Sequence, residues 1–189
     1  MTQASENTSV LANLVRDYAG YNYWANRTLV SWLKSKPADV MDQVVPSSFP
    51  SIRETLVHIW DTQRFWLAVI QQVAPPPSFR MNGFHGTLEE VFEEIQEHSR
   101  EFLEYVNSLS DEQLNENIHL ATPWFEANRS RFEYIHHTMN HSTYHRGQLI
   151  TIGRNVGLTD APMTDFNYYL LVPDDEKKPA TDSISKLAA

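Results

Sequence analysis

Apolar residues recur at helical spacing along four long stretches of the chain. In the first, Leu11, Leu14, Val15, Tyr18, Ala25, Leu29, Trp32 and Leu33 form one stripe. Thr8 or Ser9 can cap its start, and Pro37 ends it near Lys36, because proline has no N–H with which to continue the ladder. Ser51 with Glu54 three residues on has the spacing of a capping box. It predicts a second helix from Ile52 to Val73, with Ile52, Leu56, Ile59, Trp66 and Ile70 inward and Arg53, Asp61 and Arg64 on the opposite side. Pro75-Pro76-Pro77 ends that helix. Thr87 and Glu90 repeat the box ahead of a third helix, Leu88 to Leu109, whose inward positions are Val91, Ile95, Phe102 and Val106. Ser110 and Gln113 open a short helical turn. Ser130 and Glu133 start a fourth helix, Arg131 to Asn155, with Gly157 as its stop signal.

The connecting segments carry weaker patterns. Residues 37 to 50 form a connection with Pro46 and Pro50, and a loop with Gly83, His85 and Gly86 precedes the third helix. Residues 115 to 129 read as irregular or weakly extended, with a turn at Thr122-Pro123-Trp124, and a Pro- and Tyr-rich segment runs from Ala161 to Pro173. With four amphipathic segments and no convincing strand pair, the expected fold is all-α: a four-helix bundle with long connections and a short irregular segment before the last helix. Those connections mean that the helices need not alternate simply up and down. The expected organisation is a flexible N-terminus over 1–9, one bundle domain over 10–173, and a polar, frayed tail over 174–189. A chain of 189 residues suffices for one such core.

Composition narrows the function classes. The formal net charge is -9 with neutral histidines, and no lysine or arginine cluster offers a basic face to nucleic acid. Cysteine is absent, which excludes disulfides, iron–sulfur clusters, thiolate metal sites and cysteine nucleophiles. Any metal must be held by histidine, carboxylate, carbonyl or water. No uncharged apolar run approaches the ~20 residues of a membrane helix, and Met1 to Ser9 does not read as a signal peptide. The expectation is a cytoplasmic protein with no membrane partner.

Of eight histidines, His136, His137, His141 and His145 fall within ten residues of the fourth helix. Residues four apart lie one turn apart on the same face, so His137, His141 and His145 form a ladder, and His136 points the other way. Tyr134, Leu149 and Ile152 lie on the ladder's side, so the ladder should face the core. Stacked buried imidazoles need partners for both ring nitrogens, and a metal ion is such a partner. A helical pair at i and i+4 can chelate one ion, but a complete site needs a further ligand from elsewhere. His58, on the shoulder of the second helix's apolar stripe, can supply it. Three neutral imidazoles and a water suit Zn²⁺, Ni²⁺ or Fe²⁺. The competing explanation is a set of incidental core and boundary histidines.

At these residues the chain resembles a known family. Asn140-His141-Ser142-Thr143-Tyr144-His145-Arg146-Gly147-Gln148 resembles the last-helix signature of the DinB-like metal-binding bundles. Leu56-Val57-His58-Ile59, Tyr21-Asn22-Tyr23-Trp24-Ala25-Asn26 and Pro162-Met163-Thr164-Asp165-Phe166 resemble that family's second-helix, first-helix and C-terminal motifs, in the right order. The resemblance implies a four-helix bundle, often a homodimer, with one divalent ion per chain on His58, His141 and His145. His137 is then the competing ligand or a group behind the ligands. Zinc or nickel is the first expectation for the ion, with iron or manganese as alternatives. The resemblance also points to hydrolysis, or to transfer of a small thiol onto an electrophile, with a small-molecule substrate and possible use of a low-molecular-weight thiol. A non-catalytic metal- or ligand-binding protein of stress responses is the alternative, and neither polymerase activity nor DNA binding is implied.

Other polar positions have two readings each. Asn22, on the apolar face of the first helix, either contacts a bound water or substrate or is a packing asparagine satisfied by backbone. Tyr144 and Gln148 flank the proposed ligands and either orient substrate or simply pack. Arg146 reads as a solvated arginine, with carboxylate binding at the mouth as the alternative. Asp165 either supports a ligand histidine or caps a turn. Trp24, Trp60, Trp66 and Trp124 read as core or interface residues.

Overall fold

The computed structural model describes residues 9–179. Thr8 as a cap, the flexible segment 1–8 and the tail from 180 onward lie outside the described residues. Four long helices dominate: α1 (Val10–Lys34), α2 (Ile52–Gln71), α4 (Leu88–Ser108) and α6 (Arg131–Asn155). Short helices α3 (Phe79–Asn82) and α5 (Asp111–Asn115) and a 3-10 turn over Ala38–Asp42 lie in the connections, and α7 (Phe166–Leu171) and α8 (Asp174–Lys177) follow α6. The fold is an all-α bundle with one small sheet, β1 (Asn117–Ala121) and β2 (Glu126–Ser130).

The start signals act as local chemistry requires. Ser9 accepts from Ala12 N–H, and Ser51 from Glu54 N–H. Thr87 with Glu90 and Ser110 with Gln113 close complete capping boxes. At Ser130 both the N–H and the hydroxyl donate to the Glu133 carboxylate, at 2.9 and 2.7 Å. α2 ends two residues earlier than the sequence suggests, because Gln72 turns into the left-handed region at φ 58°.

Residues 115 to 129 depart from expectation. They form an antiparallel hairpin in which Asn117 pairs with Ser130 and Ala121 with Glu126. Thr122 closes the turn: its hydroxyl accepts from the N–H groups of Trp124 and Phe125, and its own N–H donates to Phe125 O. Only Ile118 and Ser130 are buried, so hardly any apolar alternation marked these strands. Trp124 stands exposed at the turn, unlike the buried Trp24, Trp60 and Trp66. Leu14, expected inward, is also exposed, and Val15 and Ala12 carry that turn of α1 instead.

α1 packs on α4 and α6, and α2 packs on the same pair, so α1 and α2 occupy opposite corners of the bundle. The apolar core divides into two clusters. One holds Val15 and Tyr23 of α1, Trp66 and Ile70 of α2, Phe102 and Val106 of α4, and Tyr134 and Met139 of α6. The other holds Leu29 and Leu33, Ile52 and Ile59, Val91 and Ile95, and Leu149 and Ile152 of the same helices. The direction of travel between clusters makes α1 and α6 run one way and α2 and α4 the other, so the sequence order is up-down-down-up. Between the clusters lies a polar waist, and on α6 His141 and His145 fall between Met139 of the first cluster and Leu149 of the second.

Candidate metal centre

α2 and α6 pack side by side and bring His58, His141 and His145 together. The Nε2 of His145 lies 3.1 Å from Nε2 of His58 and 3.2 Å from Nε2 of His141, and the three ligand atoms all fall within 4.8 Å of one another. Imidazole nitrogens held 2.0–2.1 Å from one ion at tetrahedral angles would be separated by about 3.3 Å. The two close separations match that spacing before any ligand is added.

Protonation favours the same use. Burial, with the neighbouring His145 and Arg80 charges, lowers the His58 pKa to about 4. Burial, with His145, His58 and His137, lowers His141 to about 3. Burial lowers His145 as well, opposed by its bond to Gln148. All three rings are therefore neutral near pH 7, as metal ligation requires. At His145 the Nδ1 atom lies 2.6 Å from Gln148 Oε1. An amide oxygen only accepts, so the proton is on Nδ1 and the Nε2 lone pair points at the other two histidines. His141 Nδ1 is buried without a partner among the described residues. Neutral imidazoles can pair through one shared proton, but three nitrogens meeting at a point cannot all be satisfied that way. One divalent cation takes all three lone pairs, and so the donor set fits an ion.

The remaining sequence candidates divide. His137 stays outside the cluster: its ring lies edge-on to Trp66 with centroids 4.8 Å apart, and 5.8 Å from the His141 ring. Burial, then the His136 charge, lowers its pKa. Tyr144 is exposed, with its ring edge-on to His145 at 5.0 Å. Asp165 is away from the histidines and caps α7, accepting from Asn167 N–H at 2.8 Å. Asn22 is fully buried, and its partners are side chains rather than backbone: it donates to Gln63 Oε1 at 2.9 Å and accepts from Arg146 at 2.7 Å.

Arg146 itself corrects the sequence reading. It is buried, at 2% exposure, rather than solvated. Its Nη1 donates to Asn22 Oδ1 and Asn26 Oδ1, its Nη2 donates to Thr143 Oγ1, and its guanidinium lies over the Tyr21 ring. Phe49 was also missed. From the loop before α2 it stacks on His58 with centroids 4.0 Å apart and meets His145 edge-on at 5.5 Å. No helical period governs a loop, so the sequence held no signal for it. Phe49 and His58 line a cleft of about 380 Å³ together with Val57, Phe79 and Phe84 and the charged Glu54, Asp61 and Arg80.

A sequence model of the DinB family matches residues 5–176. Protein DinB of Bacillus subtilis (strain 168) is 32% identical over 165 residues, covering 83% of this chain and 94% of that protein. Among solved structures, a protein of Exiguobacterium sibiricum 255-15 assigned to the DinB family superposes with a TM-score of 0.61 at 15% identity, covering 85% of this chain and 99% of that one. A DinB-like protein of Bacillus subtilis gives 0.57 at 18% identity, covering 78% and 96%. At such identities the superpositions speak for the fold alone, whereas the family match spans nearly the whole chain. The helical bundle, the order of its motifs and these matches together place the chain in the DinB family.

Proposed function

We propose that this chain is a metal-dependent enzyme that hydrolyses a small molecule or transfers a small thiol onto an electrophile. The observation that carries the reading is the convergence of three neutral Nε2 atoms at 3.1 and 3.2 Å, with no carboxylate among them. His58, His141 and His145 would hold one divalent ion, zinc or nickel before iron or manganese, and Gln148 would keep His145 in the ligating tautomer. When bound, the ion supplies Lewis acidity that lowers the pKa of water or of a thiol, and three neutral ligands leave its double positive charge undiminished.

The chain's own groups supply the rest. Phe49 covers the His58 ring and keeps water from that face. The cleft beside it, with Phe79 and Phe84 as walls, would receive the apolar part of the acceptor. In transfer, the sulfur would bond to the electrophilic carbon, the leaving group would depart with the electron pair of the broken bond, and the thiol's proton would pass through solvent to that leaving group. In hydrolysis, water takes the thiol's place. No helix among the described residues is long and apolar enough to cross a membrane. A cytoplasmic location and a homodimer are part of the proposal.

The test is metal content by plasma mass spectrometry on the wild type and on a His141→Ala, His145→Ala variant, followed by thiol–electrophile pairs and ester and amide panels. About one ion per chain, lost in the variant, with metal-dependent turnover of one class, is the expected result. A protein that binds no divalent ion after reconstitution would end the reading. Stoichiometric metal with no turnover would leave a binding protein in its place.

A further inference from the structure

The polar waist between the two apolar clusters is one connected network that touches all four long helices. Arg146 of α6 donates to Asn22 and Asn26 of α1 at 2.7 and 3.0 Å. Asn22 Nδ2 donates to Gln63 of α2 at 2.9 Å, Asn26 Nδ2 donates to Ser99 of α4 at 2.9 Å, and Gln63 Nε2 donates to the same Ser99 hydroxyl at 3.2 Å. Ser99 in turn donates to Ile95 O. Each asparagine thus spends its NH₂ on α2 or α4, which leaves its oxygen turned toward the guanidinium. Every member is at most 2% exposed.

The arrangement is a poor one for stability alone. The guanidinium is buried here with neutral acceptors, and among the described residues no carboxylate pairs with it and its Nε has no partner. A buried charged group replaced together with its partners by apolar side chains of similar volume commonly costs no stability. Its consequence for geometry is different. Neighbouring residues on a helix are about 100° apart around the axis. His145 faces α2, and Arg146, one residue on, faces α1. α6 is therefore held at two points on its circumference, and Asn22 and Asn26, one turn apart, fix its height as well as its rotation.

We propose that Arg146 is a positioning residue for the histidine site: through Asn22 and Asn26 it holds α6 at the rotation that brings His141 and His145 onto His58. The proposal rests on the metal-binding reading above. It predicts that a change in the network that leaves the bundle folded still weakens the hold on the ion and alters the geometry around it. A residue with a merely structural role would lower the melting temperature and leave both unchanged.

The test compares wild type, Arg146→Met and Arg146→Lys. Three quantities are read: melting temperature without metal, Zn²⁺ affinity by competition with a chelator, and the ligand-field spectrum after loading with Co²⁺. Arg146→Met should bind Zn²⁺ about 10–100-fold more weakly, as changes behind metal ligands typically do, and show an altered Co²⁺ spectrum; its melting temperature without metal should also fall, because the buried Asn22 and Asn26 oxygens lose their donor. Arg146→Lys keeps the charge but loses the planar fork, so its affinity should fall between the two. A folded Arg146→Met protein with wild-type Zn²⁺ affinity and an unchanged Co²⁺ spectrum overturns the proposal while leaving the metal reading intact. Wild-type protein that binds neither ion overturns both. Should Arg146→Met fail to fold, Thr143→Val keeps the guanidinium and removes the Nη2 acceptor, along with the hydroxyl's own bond to Met139 O within α6: a weakening of less than about tenfold supports the proposal, and unchanged affinity and spectrum refute it.

Discussion

Gln148 accepts the Nδ1 proton of His145 at 2.6 Å, one turn along the same helix. The bond decides which nitrogen of His145 is left with a lone pair, and the lone pair falls where His58 and His141 already point. Gln148→Leu removes that constraint and lets the ring flip or change tautomer. Zn²⁺ affinity should fall by about tenfold, with little change in melting temperature. Chelator competition against wild type reads the difference, and equal affinities would mean that Gln148 has no hold on the ring.

Metal should stabilise the fold by mass action. An ion that binds only the folded chain, at a free concentration about 100 times its Kd, adds about 2.7 kcal/mol. Thermal melts with Zn²⁺ and then with chelator should separate accordingly, and in His58→Ala the separation should shrink or vanish. An unchanged melt in wild type would argue that the three rings hold nothing.

The metal-free protein should weaken as acid is added. In the unfolded chain His58 and His141 take up protons near pH 6.5, whereas in the folded chain they do so only at about 4 and about 3. The unfolded state thus binds more protons between these limits, so stability falls as pH drops from about 6.5 toward 4. Urea midpoints followed from neutrality toward pH 4 should fall more steeply for wild type than for His58→Gln, His141→Gln. Parallel slopes would contradict the lowered values.

Packing makes a contrast between two apolar residues. Phe102 of α4 is fully buried in the cluster with Trp66 and Met139, and Phe102→Ala should destabilise by about 3–5 kcal/mol. Leu14 of α1 is 56% exposed, and Leu14→Ala should stay within about 0.5 kcal/mol of wild type. Denaturant midpoints of the two variants test the assignment of the inward face.

Much of this was legible in the residues. The limits of α6 follow from Ser130, Glu133 and Gly157, and the i, i+4 spacing of His141 and His145 places both on one face. What stayed hidden shares a physical cause. α6 packs against both α1 and α2, so it buries two faces rather than one stripe, and a charged residue away from the apolar anchors looked solvated. The clue lay in the partners: Asn22, Asn26, Gln63 and Ser99 each interrupt an apolar stripe in mid-helix, where an unsatisfied amide or hydroxyl would be costly. Four such interruptions at the same level call for a common partner. The hairpin was hidden for the opposite reason, since strands with both faces largely in water need no apolar alternation.

The up-down-down-up order has a consequence for how the chain acquires its centre. His58 and His145 are separated by 87 positions and Asn22 and Arg146 by 124, so both closures join remote parts of the chain. During synthesis α1, α2 and α4 emerge with the uncharged half of the waist and one of the three site imidazoles, His58; the guanidinium and the other two rings of the site arrive together on α6. Until that helix docks, three rings cannot meet around an ion. Docking α6 is the step at which the bundle closes and its centre is completed, and loop-closure entropy places it late in folding.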